Sequence, residues 1–331
     1  MTNRLVIPIA ASTGIHSLTL RTPYPIGTVN VCLIEGDPLT LVDCGARAPI
    51  GRASLGEAVA ALGYRLKDIG RLLLTHQHVD HVGLASDLVG ELDLEVACLS
   101  ALADYLENWP EACAADETFR AERMARHGAP ASVVEGVRAR GETRVGEAGS
   151  VRVTRRLEDG DVVEAGASRF RVLHRPGHSP SDTVFWDEAG SVAIVGDHLL
   201  AGISSNALMS RPLPGAGRFR PLLEYRRSLL ATRELRADLL LTGHGKPIDS
   251  HSTLVDERLA RHDERAQLLA ESLERKPRQT AWELAVGLFG DDVVAAQSML
   301  CFSETIGHLE YLEEQGRVLR EDGPPVRFAA A

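Results

Sequence analysis

The chain has 331 residues, of which 44% are hydrophobic and 25% are charged, and its formal net charge is −10. These values are typical of a globular protein and exclude a disordered or collagen-like chain, and no apolar run reaches the roughly 18 residues of a bilayer-spanning helix. The acidic balance also argues against a general affinity for nucleic-acid backbones.

The cysteines and the N-terminal residues indicate the cellular compartment of the protein. Five cysteines are scattered along the chain without a C-x-x-C pair, which predicts reduced thiols rather than disulfides or a zinc knuckle. Residues 1–10 lack the apolar core and cleavage site of a secretory signal. We therefore expect a cytoplasmic protein with no membrane association.

The first predicted elements are a hairpin, a helix and a buried strand. Residues 28–45 contain two apolar, β-branched runs on either side of a Gly-Asp-Pro turn, which is typical of a hairpin. Residues 52–62 have helical spacing, and the apolar run 69–74 leads into the polar loop THQHVDH. Because such uniformly apolar strands must be covered on both faces, the alternation predicts a layered α/β fold.

The middle of the chain predicts a helical insertion followed by more strands. From about residue 100 to 140 the sequence is rich in Ala, Glu and Arg, with breaks at Pro110 and at Gly128-Ala129-Pro130. Strand signals resume at Val151 and recur at residues 162–163, 170–173, 183–186, 192–195 and 239–241. The second half thus repeats the strand-rich character of the first.

The composition changes again after Gly245-Lys246-Pro247. An amphipathic helix is predicted over residues 253–275, with Asp256 and Glu257 in its first turn. Thr280-Ala281-Trp282-Glu283 has the form of a capping box, a third helix is predicted over 304–315, and two short strands follow. Three helices and a hairpin are similar to a winged helix, so we predict a catalytic domain over residues 1–250 and a winged-helix-like domain over residues 251–331.

Polar residues with metal-binding side chains cluster at the predicted strand ends. The loop after residue 74 places His76, His78, Asp80 and His81 within six positions. Three later apolar strands each end at one further candidate, beside a glycine that lets the backbone approach a ligand: His178, Asp197 and His244. Imidazoles and carboxylates without thiolates suit Zn²⁺, with Fe or Mn as substitutes, and seven ligands are too many for one tetrahedral ion but suit two.

These motifs resemble those of the metallo-β-lactamase fold superfamily of hydrolases over residues 28–247, and Asp43-Cys44-Gly45 is similar to its early Asp-x-Gly motif. The resemblance implies an αββα sandwich with two divalent metal ions at one edge of the sheets. The tail resembles the winged-helix module of the lactamase-like 2 branch, so within the superfamily the chain is most similar to the lactamase-like 2 / glyoxalase II-like branch.

The resemblance also implies a role for each candidate ligand. One metal ion would be held by His76, His78 and His178. The second would be held by Asp80, His81 and His244, with Asp197 bridging the two. Asp43 would orient the metal loops through hydrogen bonds, although a simple turn residue after a strand is the alternative for that position.

The implied chemistry is hydrolysis. Bound metal lowers the pKa of water from about 15.7 to about 7, and the resulting hydroxide, aimed by a hydrogen bond to Asp80, would attack an electrophilic carbonyl or phosphorus. Thiolates leave without a dedicated general acid, which favours an ester or thioester of a small acyl substrate, as in glyoxalase II, or a lactone. A β-lactamase is disfavoured because Asp197 occupies a position where many family lactamases carry cysteine or lack the bridge, and because no export signal is present.

Two other functions remain as alternatives. An endoribonuclease or phosphodiesterase of the lactamase-like 2 type would fit a winged helix, but residues 251–331 hold nine Lys or Arg against fifteen Asp or Glu, so nucleic acid is disfavoured as a partner. A metal-binding sensor or scaffold is the non-enzymatic alternative, and the complete ligand set argues against it. The substrate-binding residues, the metal and the oligomeric state, including a homo-oligomer, stay open.

Arginines in one loop form a further candidate feature. Arg211, Arg218 and Arg220 lie in a Pro/Gly-rich segment soon after Asp197. Because guanidinium groups pair well with carboxylates and phosphates, this loop is a candidate for contact with an anionic substrate.

Overall fold

The computed structural model describes residues 13–213 and 217–331. Residues 1–10, on which the prediction of a cytoplasmic protein rests, lie outside the described residues. Within the described part, none of the helices is both long enough and apolar enough to span a bilayer.

Two β-sheets form the centre of the molecule. The first sheet has six strands in chain order, β1 to β6: Ile15–Arg21, Thr28–Ile34, Leu39–Val42, Ile69–Leu74, Glu95–Leu99 and Arg155–Leu157. The second sheet has five, β7 to β11, with β11 next to β10: Val162–Ala165, Ser168–His174, Thr183–Asp187, Val192–Gly196 and Leu239–Thr242. The strands β3 to β6 are parallel, and β10 is parallel to β11.

Helices cover the outer faces of both sheets. Before the second sheet, α1 to α6 are Pro49–Ala60, Val79–Val82, Ala85–Glu91, Ser100–Glu107, Trp109–Arg126 and Ala131–Val145. After β10, α7 to α11 are Pro221–Arg233, His251–Arg275, Ala281–Phe289, Asp291–Ala296 and Ser298–Glu314, and the hairpin β12–β13 covers Val318–Glu321 and Arg327–Ala330. A short 3-10 helix, Leu66–Asp68, precedes β4.

Side chains alternate between two apolar clusters along the central strands of the second sheet. Val192 and Ile194 of β10 pack into the core shared with the first sheet, whereas Ala193 and Val195 pack beneath α7. Such alternation follows from the period of two along a strand, and it requires cover on both faces. The layers are therefore helix, sheet, sheet, helix, which confirms the predicted αββα sandwich.

The structure differs from the sequence-based elements at several boundaries. Residues 148–154 are not a strand, because the first sheet resumes only at Arg155. The helix predicted to begin at Thr253 begins at His251, so Asp256 lies beyond its first turn. The tail contains the additional helix α10 and thus four helices before its hairpin rather than three.

The tail and the helical insertion share one apolar cluster. Ala121 and Met124 of α5 pack with Phe302 and Leu309 of α11. The amide of Trp282 in α9 donates to the carbonyl of His127 at 3.2 Å, which joins the two segments through the backbone. The insertion and the tail therefore pack against each other.

Thr280 caps α9 as the sequence predicts. Its hydroxyl accepts from the amide of Glu283 at 3.1 Å, and the Glu283 carboxylate accepts from the amide of Thr280 at 2.8 Å. We expect Thr280→Ala to lower the free energy of unfolding by about 1 kcal/mol, measured by denaturant titration. Thr143→Ala, which removes an exposed hydroxyl near the end of α6, is the control and should change the free energy by less than about 0.5 kcal/mol; equal effects would contradict the capping role.

Candidate metal centre

Four loops at the ends of strands bring the predicted ligands together. His76 and His78 follow β4, and Asp80 and His81 lie in the short helix α2. The other three predicted ligands each follow a strand of the second sheet: His178 after β8, Asp197 after β10 and His244 after β11. All seven predicted ligands therefore meet in one place, at one edge of the two sheets.

The first group of ligand atoms surrounds His78. The Nδ1 atom of His78 lies 3.0 Å from Nε2 of His76 and 2.9 Å from Nε2 of His178. A carboxylate oxygen of Asp197, Oδ2, is 3.7 Å from Nε2 of His178. These four side chains are buried and could hold one metal ion.

The second group surrounds His244. Its Nε2 atom is 3.2 Å from Oδ2 of Asp80 and 3.3 Å from Oδ2 of Asp197, and Nε2 of His81 is 3.3 Å from Oδ1 of Asp197. Asp80, His81 and His244 could hold a second ion. Because Asp197 contacts both groups, its carboxylate lies between the two candidate positions.

Hydrogen bonds on the outer side fix three of the imidazole rings. Nδ1 of His178 donates to the carbonyl of Asn206 at 2.9 Å, and Nδ1 of His244 donates to the carbonyl of Thr28 at 2.6 Å. Nδ1 of His81 donates to Oδ2 of Asp43 at 2.7 Å. A neutral imidazole carries one proton, so in the neutral form of these rings each Nε2 has a free lone pair that faces the centre.

Asp43 joins two of the loops. Its carboxylate accepts from the amide of Thr75 at 2.9 Å and from the Thr75 hydroxyl at 2.7 Å, in addition to the bond from His81. The same hydroxyl lies 2.9 Å from Nδ1 of His76. Asp43 is therefore connected to one histidine of each candidate ligand group.

The donor set fits metal ions on two independent observations. The Nε2 atom of His81 and Oδ1 of Asp197 are buried, and neither has a hydrogen-bond partner within residues 13–213 and 217–331. Buried polar atoms are otherwise nearly always satisfied, so a cation between them accounts for both. Burial also lowers the pKa of His76 and of His78 well below the usual value, which favours the neutral form that binds metal.

The carboxylates shift the other histidines in the opposite direction. Although burial favours the neutral ring, Asp197, Asp43 and Asp80 raise the pKa of His81 well above its usual value. Burial also opposes protonation of His244, but the hydrogen bonds with Asp197 and Asp80 raise its pKa to about 9. Two buried carboxylates, Asp43 and Asp197, and the partly buried Asp80 thus concentrate negative charge where positive charge is stabilised.

Gly243 leaves room for two of these ligands. A Cβ atom at this position would lie 2.2 Å from Oδ1 of Asp197 and 2.6 Å from Cε1 of His81. We expect Gly243→Ala to displace one of them and to reduce metal occupancy and turnover by about 10-fold to 100-fold. Gly202→Ala is the control, because nothing lies within 4 Å of a Cβ added at that position. Mass spectrometry should find the normal metal content in Gly202→Ala and a reduced content in Gly243→Ala.

Sequence patterns did not identify Thr75, or Asp182, which holds the loop that carries His178. The Asp182 carboxylate accepts from the amide of Ser179 at 2.8 Å and from its hydroxyl at 2.7 Å. Its position three residues after Ser179 is the local signal, because Ser-x-x-Asp is a common turn and capping pattern.

A cavity of about 420 Å³ borders two of the loops that carry candidate ligands. Gln77, between His76 and His78, and Ser181 line one part of it, and Tyr105 and Ala112 of the insertion line another. Arg211 also lines this cavity and pairs with Asp116 at 3.3 Å. We name it the cleft cavity.

The other two arginines of the loop make contacts with the tail. Arg218 donates to Glu310 at 2.7 Å, and Arg220 pairs with Glu314, both in α11. Of the three loop arginines, Arg211 is therefore the one that lines the cleft cavity, while the other two anchor the loop to the tail.

Comparison with known proteins shows that this chain is similar to metallo-hydrolases. The family model of the metallo-beta-lactamase superfamily matches residues 24–244. A probable metallo-hydrolase of Bacillus subtilis, YqjP, is 30% identical over 312 residues, which are 90% of this chain and 92% of the relative.

Two solved structures are similar over nearly the whole chain. The metallo-beta-lactamase family protein TTHA1429 of Thermus thermophilus has a TM-score of 0.81 at 33% identity, covering 96% of this chain and 99% of its own. A beta-lactamase domain protein of Burkholderia ambifaria has a TM-score of 0.81 at 28% identity, covering 96% of this chain and 92% of its own. The likeness therefore includes the insertion and the tail as well as the sandwich.

Proposed function

Because this chain belongs to the metallo-beta-lactamase superfamily, we propose that it is a dinuclear metal-dependent hydrolase of ester or thioester bonds. The observation that carries the proposal is the position of Asp197, whose two carboxylate oxygens contact ligands of both groups. Zn²⁺ is the metal that this set of imidazoles and carboxylates suits best, and Fe or Mn is the alternative.

Each ligand has a defined task in this proposal. His76, His78 and His178 would hold one ion, Asp80, His81 and His244 would hold the other, and Asp197, which contacts both groups, would be shared between them. Bound ions of this kind lower the pKa of water and polarise a carbonyl oxygen. Asp43 and Thr75 fix the rings of His81 and His76, so that the ligand atoms are in place before substrate binds.

Asp80 is the proposed catalytic residue among the ligands. Burial raises the pKa of its carboxyl group, but His81 and His244 exert the larger combined effect and lower it below the usual value. The ionised Oδ atom that does not contact His244 accepts a hydrogen bond from the attacking water and aims its lone pair at the carbonyl carbon. The chain then needs no serine or cysteine nucleophile.

The cleft cavity supports an acyl substrate. Among its lining residues are Ala101, Ala112, Ala115 and Leu213, which favour an apolar group beside the scissile bond. A thiolate or an activated alkoxide leaves without a dedicated general acid, so esters and thioesters fit this centre better than amides.

The tail is the second part of the proposal. We infer that residues 251–331 form a winged-helix-like domain after a catalytic domain that ends near residue 250. Both α8 and α11 of the tail contact α7: Arg226 of α7 pairs with Asp263 of α8 at 3.0 Å. Arg123 of α5 donates to Glu310 of α11 at 2.5 Å. These contacts support a role in shaping the cleft rather than in binding nucleic acid.

Metal analysis combined with a substrate panel tests the function. Purified protein is expected to contain two divalent ions per chain and to hydrolyse thioesters or esters with a kcat/KM at least about 100-fold above that for lactams, phosphodiesters or RNA. A preference for RNA or phosphodiesters would replace the proposal with the nuclease alternative. Two bound ions without turnover of any of these substrates would favour a sensor or scaffold.

A further inference from the structure

One face of α5 lines two separate cavities. Ala112, Ala115 and Asp116 line the cleft cavity, whereas Phe119 and Arg123 line a second cavity of about 520 Å³. Positions three and four apart lie on the same side of a helix. At 1.5 Å per residue, the stretch from residue 112 to residue 126 is about 20 Å long, so the two cavities follow one another along a single helix face.

The opposite wall is also shared. Pro212 lines both cavities. Gln77 and Ser181 also line the cleft cavity, and they come from the loops that carry His76, His78 and His178. The Ser181 hydroxyl donates to Oε1 of Gln77 at 2.7 Å. The arginine-lined second cavity therefore adjoins the cleft cavity at Pro212, and the cleft cavity borders loops that carry candidate ligands.

The second cavity is lined by four arginines, and we name it the arginine cavity. They are Arg123, Arg126, Arg218 and Arg320, contributed by the insertion, the loop after β10 and the tail hairpin. Glu122 is the acidic residue among the described residues that line it. Burial and these four guanidinium groups together lower the pKa of His127, which also lines the cavity, to about 3.

Carboxylates outside the lining hold the arginines in place. Glu310 accepts from Arg123 at 2.5 Å and from Arg218 at 2.7 Å, and Glu313 lies 3.8 Å from Arg218. On the other side, Asp322 accepts from Arg126 at 3.2 Å and from Arg320 at 2.9 Å, both exposed bonds.

Each arginine keeps donors that these bonds do not use. A guanidinium group has five N–H donors, and Glu310 and Asp322 each serve two arginines. The Nε atoms of Arg123 and Arg320 are buried and have no hydrogen-bond partner in the part of the chain that the structure describes. The four guanidinium groups that line the cavity thus have more N–H donors than these ion pairs use.

We propose that the arginine cavity binds a phosphate group carried by the substrate at the end remote from its scissile ester or thioester bond. This rests on the proposed function. A phosphate dianion offers three acceptor oxygens and can pair with several guanidinium forks at once, whereas one carboxylate is satisfied by a single fork. Phe119 and Phe219, which line the same cavity, provide apolar surface for the chain that leads to the phosphate.

A pair of thioesters that differ only in the phosphate tests the proposal. Phosphopantetheine has its thiol and its phosphate at opposite ends of one chain, and pantetheine lacks the phosphate. The wild-type protein is expected to hydrolyse S-acetyl-phosphopantetheine with a kcat/KM at least about 10-fold above that for S-acetyl-pantetheine. In the double variant Arg126→Ala/Arg218→Ala this preference should fall by roughly 10-fold, so that the two thioesters are hydrolysed with similar kcat/KM values.

Two further variants test whether the loss of positive charge or of folding, rather than of the cavity, changes the preference. Arg126→Ala alone removes an arginine whose side chain is 59% exposed, and it should reduce the preference by a smaller factor. Arg138→Ala removes an exposed arginine of α6 that lies outside the cavity lining and should retain the wild-type preference. Equal kcat/KM values for the two thioesters in the wild-type protein would overturn the proposal.

Binding of uncleavable analogues separates this proposal from the proposed function. The S-methyl thioether of phosphopantetheine should bind the wild-type protein more tightly than that of pantetheine in calorimetry, and the double variant should lose the difference. If neither thioester is hydrolysed but the two thioethers still differ in affinity, phosphate binding by the arginine cavity is supported and the proposed function is contradicted. Binding of inorganic phosphate at the cavity, without any preference for the phosphorylated thioether, would overturn the assignment to a substrate.

Discussion

Asp197→Asn is expected to abolish hydrolysis and to remove most of the bound metal. The variant keeps the shape of the side chain but removes the negative charge that lies between the two ligand groups, 3.3 Å from Nε2 of His81 and of His244. Without bound metal, water returns towards a pKa of about 15.7. We therefore expect kcat/KM to fall by at least about 1000-fold.

The measurement pairs metal content, by mass spectrometry, with turnover of the best substrate of the panel. Asp187→Asn is the matched control, because Asp187 is also buried and accepts from the amide of Gly190 at 3.2 Å, but it lies at the end of β9 and outside the centre. Wild-type metal content and turnover in Asp197→Asn would remove the basis of the dinuclear proposal.

The second large effect is expected from Asp43, which contacts no substrate in this proposal. Asp43→Asn replaces a carboxylate oxygen that accepts from Nδ1 of His81 and from the hydroxyl of Thr75 with an uncharged amide. Loss of such an orienting partner lowers metal affinity or activity by about 10-fold to 100-fold. Competition with a chelator of known affinity measures the metal affinity, and steady-state kinetics measures the activity.

Asparagine is chosen because it removes the charge without straining the backbone. Asp43 has a φ of 59°, a left-handed conformation that Asn tolerates better than Ala, so Asp43→Ala would add backbone strain to the loss of the hydrogen bonds. Excess metal ion should restore much of the turnover of Asp43→Asn, since the direct ligands remain. A variant with normal metal affinity would show that Asp43 is a turn residue.

The ligands were predictable because each lies next to a local signal. His76, His178, Asp197 and His244 all follow apolar runs, and the ends of strands in a layered sheet meet at one edge. The sandwich was predictable for the same reason, since uniformly apolar strands require cover on both faces.

The contacts that organise the site were less visible. Thr75 joins Asp43 to His76 only when β3 and β4 lie side by side, and no spacing in the sequence reports that pairing. The partners of Arg218 and Arg220 lie about 90 residues further along the chain, in α11. Local patterns also missed α10, whose six residues are too few to show helical periodicity.

The apolar cluster shared by α5 and α11 has a consequence for protein engineering. A truncation near residue 250 follows the change in sequence character, yet it would leave Ala121, Met124 and Val137 of the insertion facing water without their partners in the tail. Exposed apolar patches of this kind promote aggregation. A chimera that exchanges the tail with that of a relative should therefore exchange the insertion as well, because the apolar surfaces of the two segments have to match.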